Sequence, residues 1–405
     1  MKQLYLTMLF VLVTPLQAAK ANTLTLESII QHAIQNSPEK ARILDNFADS
    51  EADAFDIETL DNPTAEVDVT AIEDDSSRSV EIEFEQPLRL SNFGSRQSYA
   101  DALRQTASIE QKAQMLELVH TLTRSYIAYF ALQEQEKLIS QNVDYVIKKQ
   151  KLIERAARTG RVDIADAKIF KAEALQLEEQ LRTIRVKRAN GAVNLLRMAG
   201  MDQTSFVAVK PRKINIPELS VLTNLAEKRG SIRSLLESRK TLAEKRYTVA
   251  KQDARFPEFA PRAIIDHDLD ENNTNVIFGI NISIPIWDRN NAELSRARAE
   301  RNLARVNLAV LDEQNFSTVL ATAYEKAQAS QLSVSNYQNK ILPAWQDVQS
   351  VMDRKFNTGQ ATILDLMRVR ERITTIKRDA FQAYIDSIEA IINLESLTGQ
   401  SLTKQ

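Results

Sequence analysis

The sequence predicts a mainly α protein with a small β part, assembled from a duplicated unit. Three observations carry this: long stretches free of helix breakers, breakers that recur at one offset, and strictly alternating segments at matched places. The chain has 405 residues but only 8 Gly and 10 Pro, well below the share of an ordinary globular protein. Neither residue occurs between Ser95 and Thr159, nor between Ile286 and Leu342. Such stretches favour very long helices, each extending roughly 90 Å at about 1.5 Å per residue. Helices of that length must pair along their length with other helices.

The duplication shows in the punctuation. Pro63 and Pro261 stand 198 residues apart, as do Pro87 and Pro285. Thr159-Gly160 and Thr358-Gly359 stand 199 apart, as do Asp166 and Asp365, and Gly200 and Gly399. A fixed long period is the mark of repeated supersecondary units. The expected organisation is a leader over 1–21, a first unit over 22–201, a linker over 202–217 with Pro211 and Pro217, and a second unit over 218–405. Each unit has one order: a helical segment, two strands, a long helix, a turn and a second long helix.

The strands are expected at Ala65 to Ile72, Ser79 to Leu88, Arg262 to Leu269 and Asn275 to Ile286. They alternate between apolar and polar residues, the pattern of a strand with two different faces. At an offset of 198, Val80, Ile82 and Phe84 fall on Phe278, Ile280 and Ile282, while Glu81, Glu83 and Glu85 fall on Gly279, Asn281 and Ser283. Acidic turns at Glu73-Asp74-Asp75 and Asp270-Glu271-Asn272-Asn273 join the strands into hairpins. Two readings stand. A soluble sheet would pack its apolar side on helices. A membrane sheet would turn Val67, Val69, Val80, Ile82 and Phe84 to lipid and present Glu66, Asp68, Glu81, Glu83, Glu85, Asp266 and Asp268 to a wet lumen. On the second reading several chains must share one barrel, because an open edge cannot sit in lipid. Three chains of four strands give twelve.

The helices carry a heptad seam. Leu366, Val369, Ile373, Ile376, Ala380, Ala383, Ser387, Ala390, Leu394 and Leu397 follow a 3, 4 spacing throughout, the signature of a coiled coil. The first unit repeats it from Ala167 to Met198, with Arg188 opposite Ser387.

At the N-terminus Lys2, the apolar run Leu4 to Leu16 and Ala19-Lys20-Ala21 read as an export signal. The run is shorter than the ~20 residues of a spanning helix; a membrane anchor is the alternative. Removal of Lys2 and Lys20 takes the net charge from -2 to 50 - 54 = -4. The chain has no Cys, which excludes disulfides, thiol–metal sites and a lipidated cysteine.

These features together resemble the TolC outer-membrane efflux family. Its N-terminal pattern is similar to Thr25-Leu26, Ala33 and Asn36-Ser37-Pro38, with a faded copy at Ala226 and Arg229-Gly230-Ser231. Glu85-Gln86-Pro87-Leu88-Arg89-Leu90 with Phe93-Gly94-Ser95-Arg96 is similar to the matching segment of the CzcC-like, metal-efflux branch. Ser283-Ile284-Pro285-Ile286-Trp287-Asp288 and Ile341-Leu342-Pro343 also resemble family segments.

The resemblance implies a homotrimer with a 12-stranded transmembrane β-barrel in the outer membrane. Below it would stand a long antiparallel coiled-coil α-barrel in the periplasm. The hairpin tips Thr159, Gly160, Arg161, Val162 and Thr358, Gly359, Gln360, Ala361 would dock a periplasmic adaptor, itself joined to an inner-membrane RND-type pump. Asp365 matches the first aspartate of the family's closed gate; Arg368 stands at the second, where an acid is usual. The implied function is a passive exit duct, with metal cations as the expected cargo. A drug duct, a type I protein-secretion duct and a soluble periplasmic coiled-coil scaffold are the alternatives.

Catalytic chemistry finds no support. There is no phosphate loop and no nucleophile elbow, and His32, His120 and His267 lack metal-ligand spacing. Carboxylate pairs such as Glu178-Glu179 belong to solvated helix faces. No enzyme activity, cofactor or nucleic-acid partner is expected.

Overall fold

The computed structural model describes residues 23–71, 78–159, 163–202, 205–212, 214–229, 231–284, 286–287, 289–313, 316–399 and 401–402. The signal segment, the turn at Glu73-Asp74-Asp75, and Gly160, Arg161 and Val162 lie outside the described residues.

The first unit opens with two helices rather than one. There α1 (Leu26–Asn36) and α2 (Pro38–Glu58) meet at Ser37. The residues that carry the N-terminal family pattern are the two helix starts. Thr25 caps α1 through Ser28 N, and Ser28 Oγ accepts in return from Thr25 N. Ser37 Oγ caps α2 through Lys40 N, and Pro38 stands in the first turn, where its missing N–H costs nothing. Leu26 and Ala33 are buried on the core face of α1. In the second unit α5 (Leu219–Arg229) and α6 (Ser231–Arg255) take the same places.

Two strands follow in each unit: β2 (Thr64–Ala71) and β3 (Arg78–Glu85), then β5 (Phe259–Asp268) and β6 (Asn273–Ile282). They form one antiparallel sheet in the order β2-β3-β5-β6. The second-unit strands, with 10 residues each, begin earlier and end earlier than their alternation suggests. Beyond β3 the chain turns onto its long helix. Leu88 N–H donates to Phe259 O at 2.8 Å, and Phe259 N–H donates back to Leu88 O at 3.0 Å. Arg89 Nε reaches Glu258 at 2.8 Å and Arg96 reaches Asp253 at 3.2 Å. The segment similar to the metal-efflux branch is therefore the corner that fixes sheet to helix.

From Ser95 the helix α3 (Ser95–Arg158) runs unbroken for 64 residues, about 96 Å at the usual rise. It returns as α4 (Ile164–Ala199). The matching descent in the second unit is described as α7 (Asn291–Glu313) and α8 (Phe316–Asn336), then a π-turn at Tyr337–Ile341, α9 (Leu342–Asn357) and the return helix α10 (Ile363–Thr398). The π-turn corrects the expectation of a regular helix to Leu342. Its cause is Pro343, which has no N–H and whose ring would strike the carbonyl four residues earlier. Leu342 N–H bonds back five residues, to Tyr337 O, and this wider turn lets the helix pass the proline.

Helix α3 is the spine, packing on α2, α4, α6 and α10. The heptad seam is the coiled-coil core: Leu366, Val369, Ile373, Ile376, Ala383, Ser387, Ala390, Leu394 and Leu397 are all buried, and Ala380 is half-buried. Opposite them in the first unit Phe170, Ala174, Leu181, Ile184 and Leu195 are buried. Arg188, the polar break in that seam, pairs with Glu136 of α3 at 2.8 Å.

The linker does more than connect. A short parallel pair joins β1 (Thr23–Leu24) to β4 (Val207–Ala208). The Tyr126 hydroxyl donates towards Leu24 O at 2.9 Å and Val209 O at 2.7 Å. Gln133 brackets Ala208, accepting from its N–H and donating to its carbonyl. On the sheet side of this belt His120 and Glu395 form a buried pair at 2.9 Å between α3 and α10.

Candidate functional site: sheet faces and hairpin tips

The β register decides which strand side chains share a face. Asp68 pairs with Glu81, Glu81 with Asp266, and Asp266 with Asn275. Glu66 lies opposite Glu83, Glu85 opposite Arg262, and Asp268 opposite Ser79. All seven acids singled out from the sequence, Glu66, Asp68, Glu81, Glu83, Glu85, Asp266 and Asp268, therefore stand on one face. The other face carries Val67, Val69, Val80, Ile82, Phe84, Ala263, Ile265, Val276, Phe278, Ile280 and Ile282. Most of these are exposed in the single chain, Phe278 to 81%. Among the described residues no helix packs on that face, unlike the soluble-sheet alternative, whose apolar side would lie on helices.

The acidic face is not uniform. Arg262 Nη1 reaches Glu83 at 3.2 Å, and Asn281 donates to Glu85 at 2.8 Å. Gly279 leaves room for the Arg262 stem: a Cβ there would meet Arg262 Nε at 3.1 Å. Sequence reasoning placed Gly279 only as the counterpart of Glu81. Across the row Asp68–Glu81–Asp266 there is no such cation, and like charges directly opposite one another repel. Among the described residues no group of three or more His, Cys, Asp or Glu is gathered closely enough to hold a metal ion.

Both sheet edges, β2 and β6, lack a partner strand. Among the described residues no helix is long and apolar enough to cross a membrane.

At the far end of the coiled coil are the hairpin tips. Thr358 ends α9, donating from its N–H to Arg354 O at 3.1 Å. Gly359 takes a left-handed φ of +75°, and Gln360 N–H closes onto Lys355 O at 2.8 Å. Thr358, Gly359 and Gln360 are exposed and Ala361 is half-buried. In the first unit Thr159 ends α3 in the same way and is exposed, and Asp163 caps α4 through Ala165 N at 2.8 Å.

Asp365 is tied into the start of α10. Its carboxylate accepts from the Thr362 hydroxyl at 2.6 Å and the Thr362 N–H at 3.1 Å, while Thr362 Oγ1 accepts from Asp365 N. These bonds hold the Asp365 carboxyl below its ordinary range. Arg368 lies one turn on, 3.6 Å from Asp365, with its side chain largely in solvent. The sequence did not reveal that the candidate gate acid is also half of a capping box. The spacing Thr-x-x-Asp was the available signal.

The chain thus combines a duplicated helical hairpin with an unclosed four-stranded sheet that has one bare apolar face. Residues 219–400 match the family model described as "Outer membrane efflux protein". The chain is 20% identical to the cobalt-zinc-cadmium resistance protein CzcC of Cupriavidus metallidurans over 378 residues, covering 90% of this chain and 86% of that protein. Among solved structures it is similar to CusC, a transmembrane channel, with a TM-score of 0.73 at 15% identity, covering 93% of this chain and 92% of that one. It is equally similar to the outer membrane protein VceC of Vibrio cholerae, with a TM-score of 0.73 at 15% identity over 93% and 96% of the two chains. These likenesses give the fold, that of the TolC-like outer-membrane channels.

Proposed function

We propose that three copies close one 12-stranded barrel in the outer membrane, with β6 of each pairing to β2 of the next. The observation that carries this reading is the sheet itself, with two free edges and a continuous apolar face. In lipid each unpaired backbone group costs several kcal/mol, so closure by a second and third copy removes a large penalty. With four strands alternating in direction, β6 meets the next β2 antiparallel, as an even-stranded barrel requires. The coiled coil then stands in the periplasm, and the tips around Thr159 and Gly359 dock a periplasmic adaptor that joins the duct to an inner-membrane RND-type pump. Asp365 and Arg368 lie where the tunnel narrows. Native mass measurement in detergent tests the assembly: a trimer is expected, and a stable membrane-bound monomer overturns the reading.

The cargo we propose is metal cations, supported by the likeness to CzcC and by the acidic sheet face. With that face on the lumen, the row Asp68–Glu81–Asp266 repeats three times around the barrel. Rings of carboxylates favour cations and oppose anions, an effect screened over ~10 Å at 0.1 M salt. The purified trimer is expected to be cation-selective, and Glu81, Glu83 and Glu85 changed together to Gln should shift its reversal potential toward zero in a salt gradient. Anion preference, or an unmoved reversal potential, removes the charge argument for metal cargo.

A further inference from the structure

Midway along the lower coiled coil, a cleft of about 470 Å³ opens between α3, α9 and α10. Arg370 and Lys377 line it from α10, and Tyr145 and Lys148 line it from α3. The Arg370 guanidinium carbon lies 3.1 Å from the Tyr145 ring centroid. Arg370 Nε is buried with no hydrogen-bond partner among the described residues, while the Tyr145 hydroxyl is shared between Arg370 and Asp353 of α9. Nor does any carboxylate among the described residues come within 4.0 Å of Arg370, Lys377, Lys148 or the neighbouring Lys137. The one acid in the lining, Asp144, is exposed.

Orphaned buried polar groups are uncommon and call for an explanation, and desolvated cations left unpaired are costlier still. Burial, with Arg370 and Lys137 nearby, holds the Lys377 ammonium below the ordinary lysine range. A guanidinium edge and two ammonium groups are all donors, and the arginine fork matches an oxyanion well.

We propose that this cleft is a binding seat for a small free oxyanion of the phosphate or sulfate class, held by Arg370, Lys377 and Lys148. The occupant bridges α3 to α10 and offsets the repulsion among Lys137, Arg370 and Lys377, so binding tightens the hairpin packing. The cleft is narrow for a partner helix, which is about 10 Å across, but roomy for an anion with its water. This site lies apart from the sheet face and the tips, and its test does not depend on the proposed assembly or cargo.

The full chain, purified in detergent, is treated with a limiting amine-acylating reagent, and modification is read residue by residue by mass spectrometry. Inorganic phosphate is titrated against chloride at matched ionic strength. Lys377 should be protected by phosphate, with its rate about halved when phosphate equals its Kd, while the exposed Lys168 is unaffected. Arg370→Gln should abolish the protection. Because that variant removes a packed side chain, Lys148→Gln, at an exposed position of the lining, provides a second arm and should weaken protection. Equal rates in phosphate and chloride overturn the proposal, as does undiminished protection in both variants. Protection present without added anion and lost on dissociation to monomers assigns the seat to a neighbouring copy's carboxylate, and likewise overturns it.

Discussion

Gly200, in the middle belt, and Gly359, at the hairpin tip, have nearly the same backbone and opposite surroundings. Their φ values are +72° and +75°. Both follow a long helix and reverse the chain in the left-handed conformation that glycine adopts without penalty. A Cβ on Gly200 would sit 2.6 Å from Asn36 O and 3.0 Å from Asn36 C, whereas a Cβ on Gly359 would meet nothing within 4 Å. The first glycine is required twice over, by its dihedral angle and by the backbone packed on it. The second is required only by its angle. Similar punctuation in the sequence therefore serves closure of the fold in one place and the shape of an exposed surface in the other.

The largest expected effect follows from the belt. Gly200→Val forces the end of α4 away from the α1–α2 corner, where His32 also reaches Gly200 O at 3.2 Å. Backbone cannot yield as a side chain tip can, so the loss should exceed the ~1–3 kcal/mol of dihedral strain alone. Thermal unfolding should show a large drop in Tm or a failure to assemble. A Tm near that of the unaltered protein would mean that belt and tip glycines are equivalent after all.

The tip variant sharpens the contrast. Gly359→Val adds only strain, ~1–3 kcal/mol, spread over a turn with space around it. Folding and trimer assembly should survive, while efflux in cells lacking other ducts should fall, because the reshaped tip no longer fits its partner. Unchanged efflux would count against docking at this tip.

How much of this could be read from the sequence depends on the range of the interaction. The tip and belt glycines, the seam and the strand faces are periodic or repeated features, and residues a few positions apart announce them. Register then follows from alternation, since a one-residue slip would put Phe278 and Ile280 among the acids. What was not legible joins distant residues or depends on a local exception. The His120–Glu395 pair spans 275 residues. Gln133 binds a two-residue strand whose sequence, Val207–Ala208, carries no pattern of its own. The Arg370–Tyr145 contact lies between helices whose polar residues look alike in sequence. The π-turn before Pro343 arises because the surrounding helices hold the chain helical where the proline alone would end it.

The smallest expected effect concerns the helix starts beyond the two tips, where the units differ by one residue type. Asp163 caps α4 through Ala165 N. At the equivalent place Thr362 caps α10 and is capped in return by Asp365. Thr362→Ala should cost about 1 kcal/mol, the usual worth of an N-cap, and Asp163→Ala a similar amount. The first should carry an acid-dependent signature that involves a second residue, Asp365. Because Asp365 titrates lower in the folded chain than its ordinary value of ~3.9, its contribution is fully present above that pH. It is lost as the pH falls through the lower, folded value. Removing the Thr362 hydroxyl removes the largest cause of that depression. NMR titration of the Asp365 carboxyl should therefore move upward in Thr362→Ala and stay in place in Asp163→Ala. An Asp365 titration that ignores Thr362 would assign the depression to Arg368 at 3.6 Å instead, and the two helix starts would then differ in their neighbouring charge rather than in their caps.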